Sequence, residues 1–224
     1  MKVNIEHYVE MQSSLFWKES RYLQYNDIAV IISSLLTDTF DVAEPIFIPV
    51  PSNIDPQIPR VQINARKRDD SIAINITISN IAITLSVNTT IAKEPDLVGM
   101  LLAMNMKLAS GLIGGALSFK RIGIVFKGFN ENSNPTDWIY QRYIKHDVSK
   151  DCLVEAGVQL VYRNSVHNVK YNDLTNFRVA FNNETQKEVL WVEKDINIVD
   201  GSVSEIKIQD VHVILDIVNN AIQR

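Results

Sequence analysis

The run SIAINITISNIAITLSV, from Ser71 to Val87, restricts the fold more than any other part of the chain. Isoleucines at 72, 74, 76 and 78 alternate with other residues, and Ile81, Ile83, Leu85 and Val87 resume the alternation one place out of step. A period of two is a strand, because successive side chains point to opposite faces. The slip at Ser79-Asn80 has to be absorbed by a bulge or a tight turn. Asn tolerates the positive φ that a turn would need, so the run reads as a β-hairpin. One face then carries branched apolar side chains throughout and must be covered by helices or by another subunit.

The rest of the first half flanks this hairpin. Residues 2 to 9, KVNIEHYV, alternate as a short first strand, whereas Leu15 to Tyr25 is aromatic-rich without a period. Apolar residues at 28, 31, 32, 35 and 36 have helical spacing, and Asn26 as N-cap predicts a helix to about Thr39. Prolines 45, 49, 51, 56 and 59 fix φ and remove donors, which makes that segment an ordered connection or a sheet edge. Strand resumes at Arg60, with Asp69-Asp70 as the turn into the hairpin. After Pro95 the run DLVGMLLAMNMKLASGLIGGALSF is long and apolar enough to raise the question of a membrane span. Asn105, Lys107 and Ser110 near its middle argue against one, since a central Lys costs roughly 2.5 to 3.5 kcal/mol in a bilayer. A helix buried on most sides is expected.

The second half repeats the order. FKRIGIVFKGF, Phe119 to Phe129, is a strand; Asn134 as N-cap and Pro135 at the first helical position start a helix over 135 to 146. Strands follow at 153 to 163, about 175 to 182 and 187 to 198. Ser202 and Glu205 have capping-box spacing before a terminal helix with apolar residues at 211, 214, 215, 218, 221 and 222, although Val203 to Ile208 also suits a strand. The expected class is α+β: a mostly antiparallel twisted sheet with helices on one side, in two similar strand-helix-strands-helix halves, 1–117 and 118–224. No residue identities link the halves, and no Gly/Ser-rich linker separates them, so they form one compact unit.

Composition narrows the function classes. The chain of 224 residues is 46% hydrophobic and 21% charged, ordinary for a globular protein, and its net charge of −4 creates no general attraction to nucleic acid or anionic lipid. A single cysteine excludes an internal disulfide, and MKVNIEHYVEMQ lacks an apolar leader core, which together favour the cytoplasm. Sequons at Asn75, Asn88 and Asn183 are then ordinary polar positions.

Candidate chemistry is sparse. Cys152 beside Asp151 and six residues after His146 has no motif that would activate it. His7, His146, His167 and His212 are scattered without metal-ligand spacing, and GLIGG lacks both phosphate-loop patterns, so neither a metal nor a cofactor is expected. Basic residues do cluster: Arg60, Arg66, Lys67 and Arg68 fall on one strand and turn, and Lys120, Arg121 and Lys127 on the corresponding strand of the second half. Two basic strands in a pseudo-symmetric sheet would form a saddle for a nucleic-acid backbone; the alternative is a solvated face or a charge-protected edge.

The terminal runs EVLWVEKDINIVDG and SEIKIQDVHVILDIVNNAI resemble the ending of a sporadically distributed, uncharacterised bacterial protein family, in which a strand with an LDIDVY-like core precedes a final helix with a central His. The matching positions are Val192 to Ile198 and His212, and Arg121, Gly123, Ile124 and Phe126 resemble that family's R-x-G-L-R-Y strand. Glu193-Lys194 departs from its apolar run. The resemblance implies a bacterial cytosolic origin and assigns no site. The expected function is therefore a non-catalytic binding or assembly protein using a sheet surface or a homo-oligomer or protein-partner interface. Nucleic-acid binding and an enzyme with an unreadable site are the alternatives.

Overall fold

The computed structural model describes residues 5–17, 25–37, 40–51, 53–68, 73–88, 99, 101–105, 107–108, 118–144, 156–199, 206–207 and 211–222. In chain order these are β1 (His7–Trp17), α1 (Tyr25–Leu36), β2 (Val42–Phe47), β3 (Val61–Arg66), β4 (Ala73–Ile78) and β5 (Ala82–Asn88). Helix α2, with helical residues 101–105 and 107–108, precedes β6 (Ser118–Asn130) and α3 (Pro135–Ile139), which continues into a π-helical turn, Tyr140–Ile144. Then come β7 (Gly157–Val166), β8 (Val169–Asn182), β9 (Lys187–Ile198), the two-residue β10 (Ile206–Lys207) and α4 (Val211–Ile222). All strands join one sheet in the order β2-β3-β4-β5-β1-β6-β9-β8-β7, with β10 beside β6, and every pairing is antiparallel.

The hairpin forms where the period slips. Ile74, Ile76 and Ile78 of β4 lie opposite Val87, Leu85 and Ile83 of β5, so both alternations meet on one face. The turn closes through the Ser79 N–H, which donates to the Ala82 carbonyl at 2.9 Å, and the Ser79 hydroxyl oxygen, which accepts from the Ile81 and Ala82 amides. Serine chemistry therefore makes the turn, and Asn80 keeps a negative φ, contrary to expectation. Among the described non-glycine residues, left-handed φ occurs in the β7–β8 turn at His167 (48°) and Asn168 (65°) and in the β8–β9 turn at Gln186 (55°). The pair at His167 and Asn168 forms the hairpin tip, and β7 runs on to Val166, beyond the expected strand end at 163. The first strand occupies His7–Trp17, later than its expected 2 to 9, because pairing on both sides overrides weak local alternation. The Asn134 side chain accepts from the Asp137 amide at 2.9 Å, as an N-cap should. Cys152, His146, Asp69-Asp70, the GLIGG run and the Ser202/Glu205 capping box lie outside the described residues. Among the described residues no helix is long and apolar enough to cross a membrane.

Two apolar clusters line the same face of the strands. The larger joins Ile63, Ile76, Leu85, Leu15 and Phe126 to Ile32 and Leu36 of α1, Leu101, Leu102 and Leu108 of α2, and Ile214, Ile217 and Val218 of α4. Each fully buried branched side chain contributes roughly 1.5 to 3 kcal/mol. The smaller places Ile139 of α3 against Phe177, Leu190 and Val192, with Trp138 and Tyr143 packed on the Phe177 ring. Burial raises the Tyr143 phenol above its ordinary pKa, against the opposing pull of Arg142. Between the clusters runs a polar seam. Tyr171 and Ile196 belong to one cluster and Phe177 and Val192 to the other, and the inward positions between them are Asp173, Thr175 and Lys194. Lys194 Nζ lies 3.3 Å from Asp173 Oδ1, with both residues buried. This explains why Lys194 interrupts an otherwise apolar run.

The central pair β1–β6 has a symmetric register. Seven consecutive pairs, from Glu10–Lys127 to Phe16–Arg121, centre on Ser13–Ile124, and a register shift bounds each end. The extra residues are Val9, third in β1, and Lys120, third in β6. At the Val9 bulge the alternation resets: Tyr8 turns to the core, edge-on to Phe126, with its phenol pKa raised by burial, and His7 turns to the opposite face. The backbone comes so close that a Cβ at Gly128 would strike the His7 carbonyl oxygen and Ile5 Cγ2. Gly128→Ala is expected to cost about 1 to 3 kcal/mol, read as a lower urea midpoint. Asp173→Ala, which strands a buried Lys194 charge, is expected to cost about 3 to 5 kcal/mol, whereas the paired Asp173→Leu and Lys194→Met exchange is near neutral in the same measurement.

Candidate functional site

The strand face turned away from the core is a polar surface. Alternation puts Gln62 and Asn64 of β3, Asn75 and Thr77 of β4, Thr84 and Ser86 of β5, and Gln12 and Ser14 of β1 on it. It continues through Asp195 and Asn197 of β9 and Asn172 and Asn176 of β8, interrupted by Val125 of β6 and Leu174 of β8. Cross-strand hydrogen bonds tie it together. Asn75 Nδ2 donates to Asn64 Oδ1 at 3.0 Å, and the Ser14 and Thr84 hydroxyls lie 2.9 Å apart. A chain runs from Arg163 Nε to Asn172 Oδ1, Asn172 Nδ2 to Asn197 Oδ1, and Asn197 Nδ2 to Asp195 Oδ1.

The basic residues do not assemble into one field on this face. Arg60 is 5% exposed. Its Nη1 donates to the Val50 and Pro51 carbonyls at 2.8 and 3.2 Å, and its main chain bonds Ile48 and Ile78. It is a clamp on the proline-rich segment, which corrects its expected place on a basic surface. Lys127 is neutralised by Glu10 at 2.9 Å. Arg121 lies over the Phe16 ring at 5.4 Å with its Nε covered. Arg66 is exposed on β3, Lys67 is half-buried, and Arg68 is exposed, with its amide donating to Asp41. Lys120 is the exposed bulge residue of β6. Four strand spacings separate β3 from β6, roughly 19 Å.

A concavity lies at the other end of the central pair. A cavity of about 780 Å³ is lined by His7, Phe129, Trp191, Arg178, Asn182 and Glu6, among others. The register places four of these side by side: His7 opposite Phe129, Phe129 opposite Trp191, and Trp191 opposite Arg178. The His7 and Phe129 rings stack with centroids 4.8 Å apart, and the Arg178 guanidinium lies 5.5 Å from the Trp191 ring centroid. Trp191 Nε1 is covered and has no hydrogen-bond partner. Glu6 Oε2 accepts from the Glu131 amide. Sequence reasoning missed this group, because its members come from four strands and only the Val9 bulge turns His7 outward. Among the described residues no group of three or more His, Cys, Asp and Glu is arranged to hold a metal.

No family model matches the chain, and no curated protein matches it in sequence. Among solved structures, Methanococcus jannaschii TBP is similar at 14% identity over 98% of each chain, with a TM-score of 0.26. No property of that protein is carried over at a likeness of this size. The placement of Arg60 is testable by itself. Arg60→Ala is expected to cost roughly 1.5 to 3 kcal/mol, the range for hydrogen bonds to a charged group. Limited proteolysis should detect faster cleavage within residues 49–59, with little dependence on salt.

Proposed function

We propose that this is a non-catalytic binding or assembly protein of two similar halves, 1–117 and 118–224, with helices on one side of a shared sheet, and that copies associate through the free edge at β7. Two features support the halves. The bulges at Val9 and Lys120 are equidistant from the Ser13–Ile124 pair. The ladder also runs outward in descending order on both sides, β5-β4-β3-β2 beyond β1 and β9-β8-β7 beyond β6, with β2 the one strand that has no counterpart.

The observation that carries the assembly reading is β7 itself. It is ten residues long, ends the ladder among the described residues, and has Val161 and Tyr162 59% and 53% exposed. Edges of this length are ordinarily blunted by proline or lysine, as Pro45 blunts β2 at the opposite end. The β7 sequence GVQLVYRNSV has neither. Antiparallel pairing of two β7 edges about a two-fold axis satisfies their outward backbone groups and covers both exposed side chains. A cytoplasmic, bacterial setting fits the same proposal through the resemblance in β9 and α4.

Light scattering on a size-exclusion column tests this. The expected mass at high micromolar concentration is twice 25.4 kDa, and the Val161→Lys, Tyr162→Lys double variant should run as a monomer with an unchanged circular dichroism spectrum. A monomeric wild-type protein overturns the proposal.

A further inference from the structure

The row His7, Phe129, Trp191, Arg178 is a stack in two parts. His7 and Phe129 form one, and Arg178 over Trp191 the other, while no ring contact joins Phe129 to Trp191 although their residues are paired across β6 and β9. The cavity therefore borders two flat, π-bearing surfaces standing on neighbouring strands. We propose that it binds an uncharged heteroaromatic ring of nucleobase type, inserted between the Phe129 ring and the Trp191 indole.

Two observations converge on that ligand class. Flat side chains from four consecutive strands offer stacking area that aliphatic ligands would use poorly. Glu6 and Glu184 share the lining with a single arginine, Arg178, so the wall does not favour a phosphate-bearing ligand. The site was built by two local devices: the Val9 bulge, which turns His7 onto this face, and Gly128, whose missing side chain lets the bulged backbone approach β6. The proposal is independent of the β7 edge, since among the described residues none of that strand lines the cavity.

The test uses the full chain and its three tryptophans. In a proton–nitrogen spectrum the Trp191 indole signal is assigned with Trp191→Phe, and adenosine is titrated to millimolar concentration. The expected result is a saturable shift of the Trp191 signal with those of Trp17 and Trp138 unmoved, weakened about tenfold by Phe129→Ala. The exposed Arg178→Met variant, which leaves the strand interior intact, should weaken it several-fold. Adenosine 5′-phosphate is expected to bind less tightly than adenosine. A ten-residue thymidine oligonucleotide distinguishes a free nucleoside-like ligand from a base presented by a strand, and a saturable Trp191 shift with either probe supports the ring site. No Trp191 shift with either, or equal movement of all three indole signals, overturns it. Oligomeric mass is unaffected by these outcomes, so failure here is separable from failure of the edge-assembly proposal.

Discussion

The antiparallel pairing of β1 with β6 is the constraint on which the rest of the molecule depends. Among the described residues it is the junction between β2-β3-β4-β5 and β9-β8-β7, and without it the ladder becomes two separate sheets. It also joins residues distant in sequence, as the Glu10–Lys127 ion pair shows. Such contacts reward the chain only after a long loop has closed, so nothing local can substitute for accurate register. The two bulges and the bare backbone at Gly128 supply that accuracy. A slip by one residue would turn Met11, Ser13 and Leu15 outward and bring Gln12 and Ser14 under the helices.

Buried polar groups reinforce the same register. Asn105 of α2 is fully buried and donates to both the carbonyl and the hydroxyl of Ser13, at 2.9 and 3.2 Å, which seats the helix on the midpoint of the central pair. Asp173 and Lys194 do comparable work between the two apolar clusters, where an offset of β8 against β9 would separate a buried ion pair. The polar face has its own version in the chain Arg163, Asn172, Asn197, Asp195. Its Asn172 and Asn197 amides are engaged with one another and with Asp195.

Legibility from sequence followed the range of the interaction. The β4–β5 hairpin, the Asn134 cap and the terminal helix show themselves within a few residues, and local pattern exposed them. Long-range pairing was opaque: β1 looked shorter than it is, and β7 was ended at 163 rather than Val166 because the left-handed turn at His167 and Asn168 depends on strands that pattern alone did not align. Arg60 belonged to the basic cluster in sequence and to the interior in space. Its neighbours Val50 and Pro51 arrive through a proline-rich path whose course is not encoded by periodicity. Lys194 looked like a defect until Asp173 stood diagonally across from it, within 3.3 Å.

Alternation of isoleucine with polar residues from Ser71 to Val87 was by itself enough to determine a hairpin with one apolar face, because side-chain direction in a strand has a fixed period of two. It also determined that this face needed a cover. Which elements supply the cover, which face remains polar, and how His7, Phe129, Trp191 and Arg178 come to stand in one row were decided only by tertiary structure. The physical reason is that strand order and register are set by pairing energies summed across the whole sheet. Bulges such as that at Val9 then reverse side-chain direction at single residues that leave no mark on the sequence pattern.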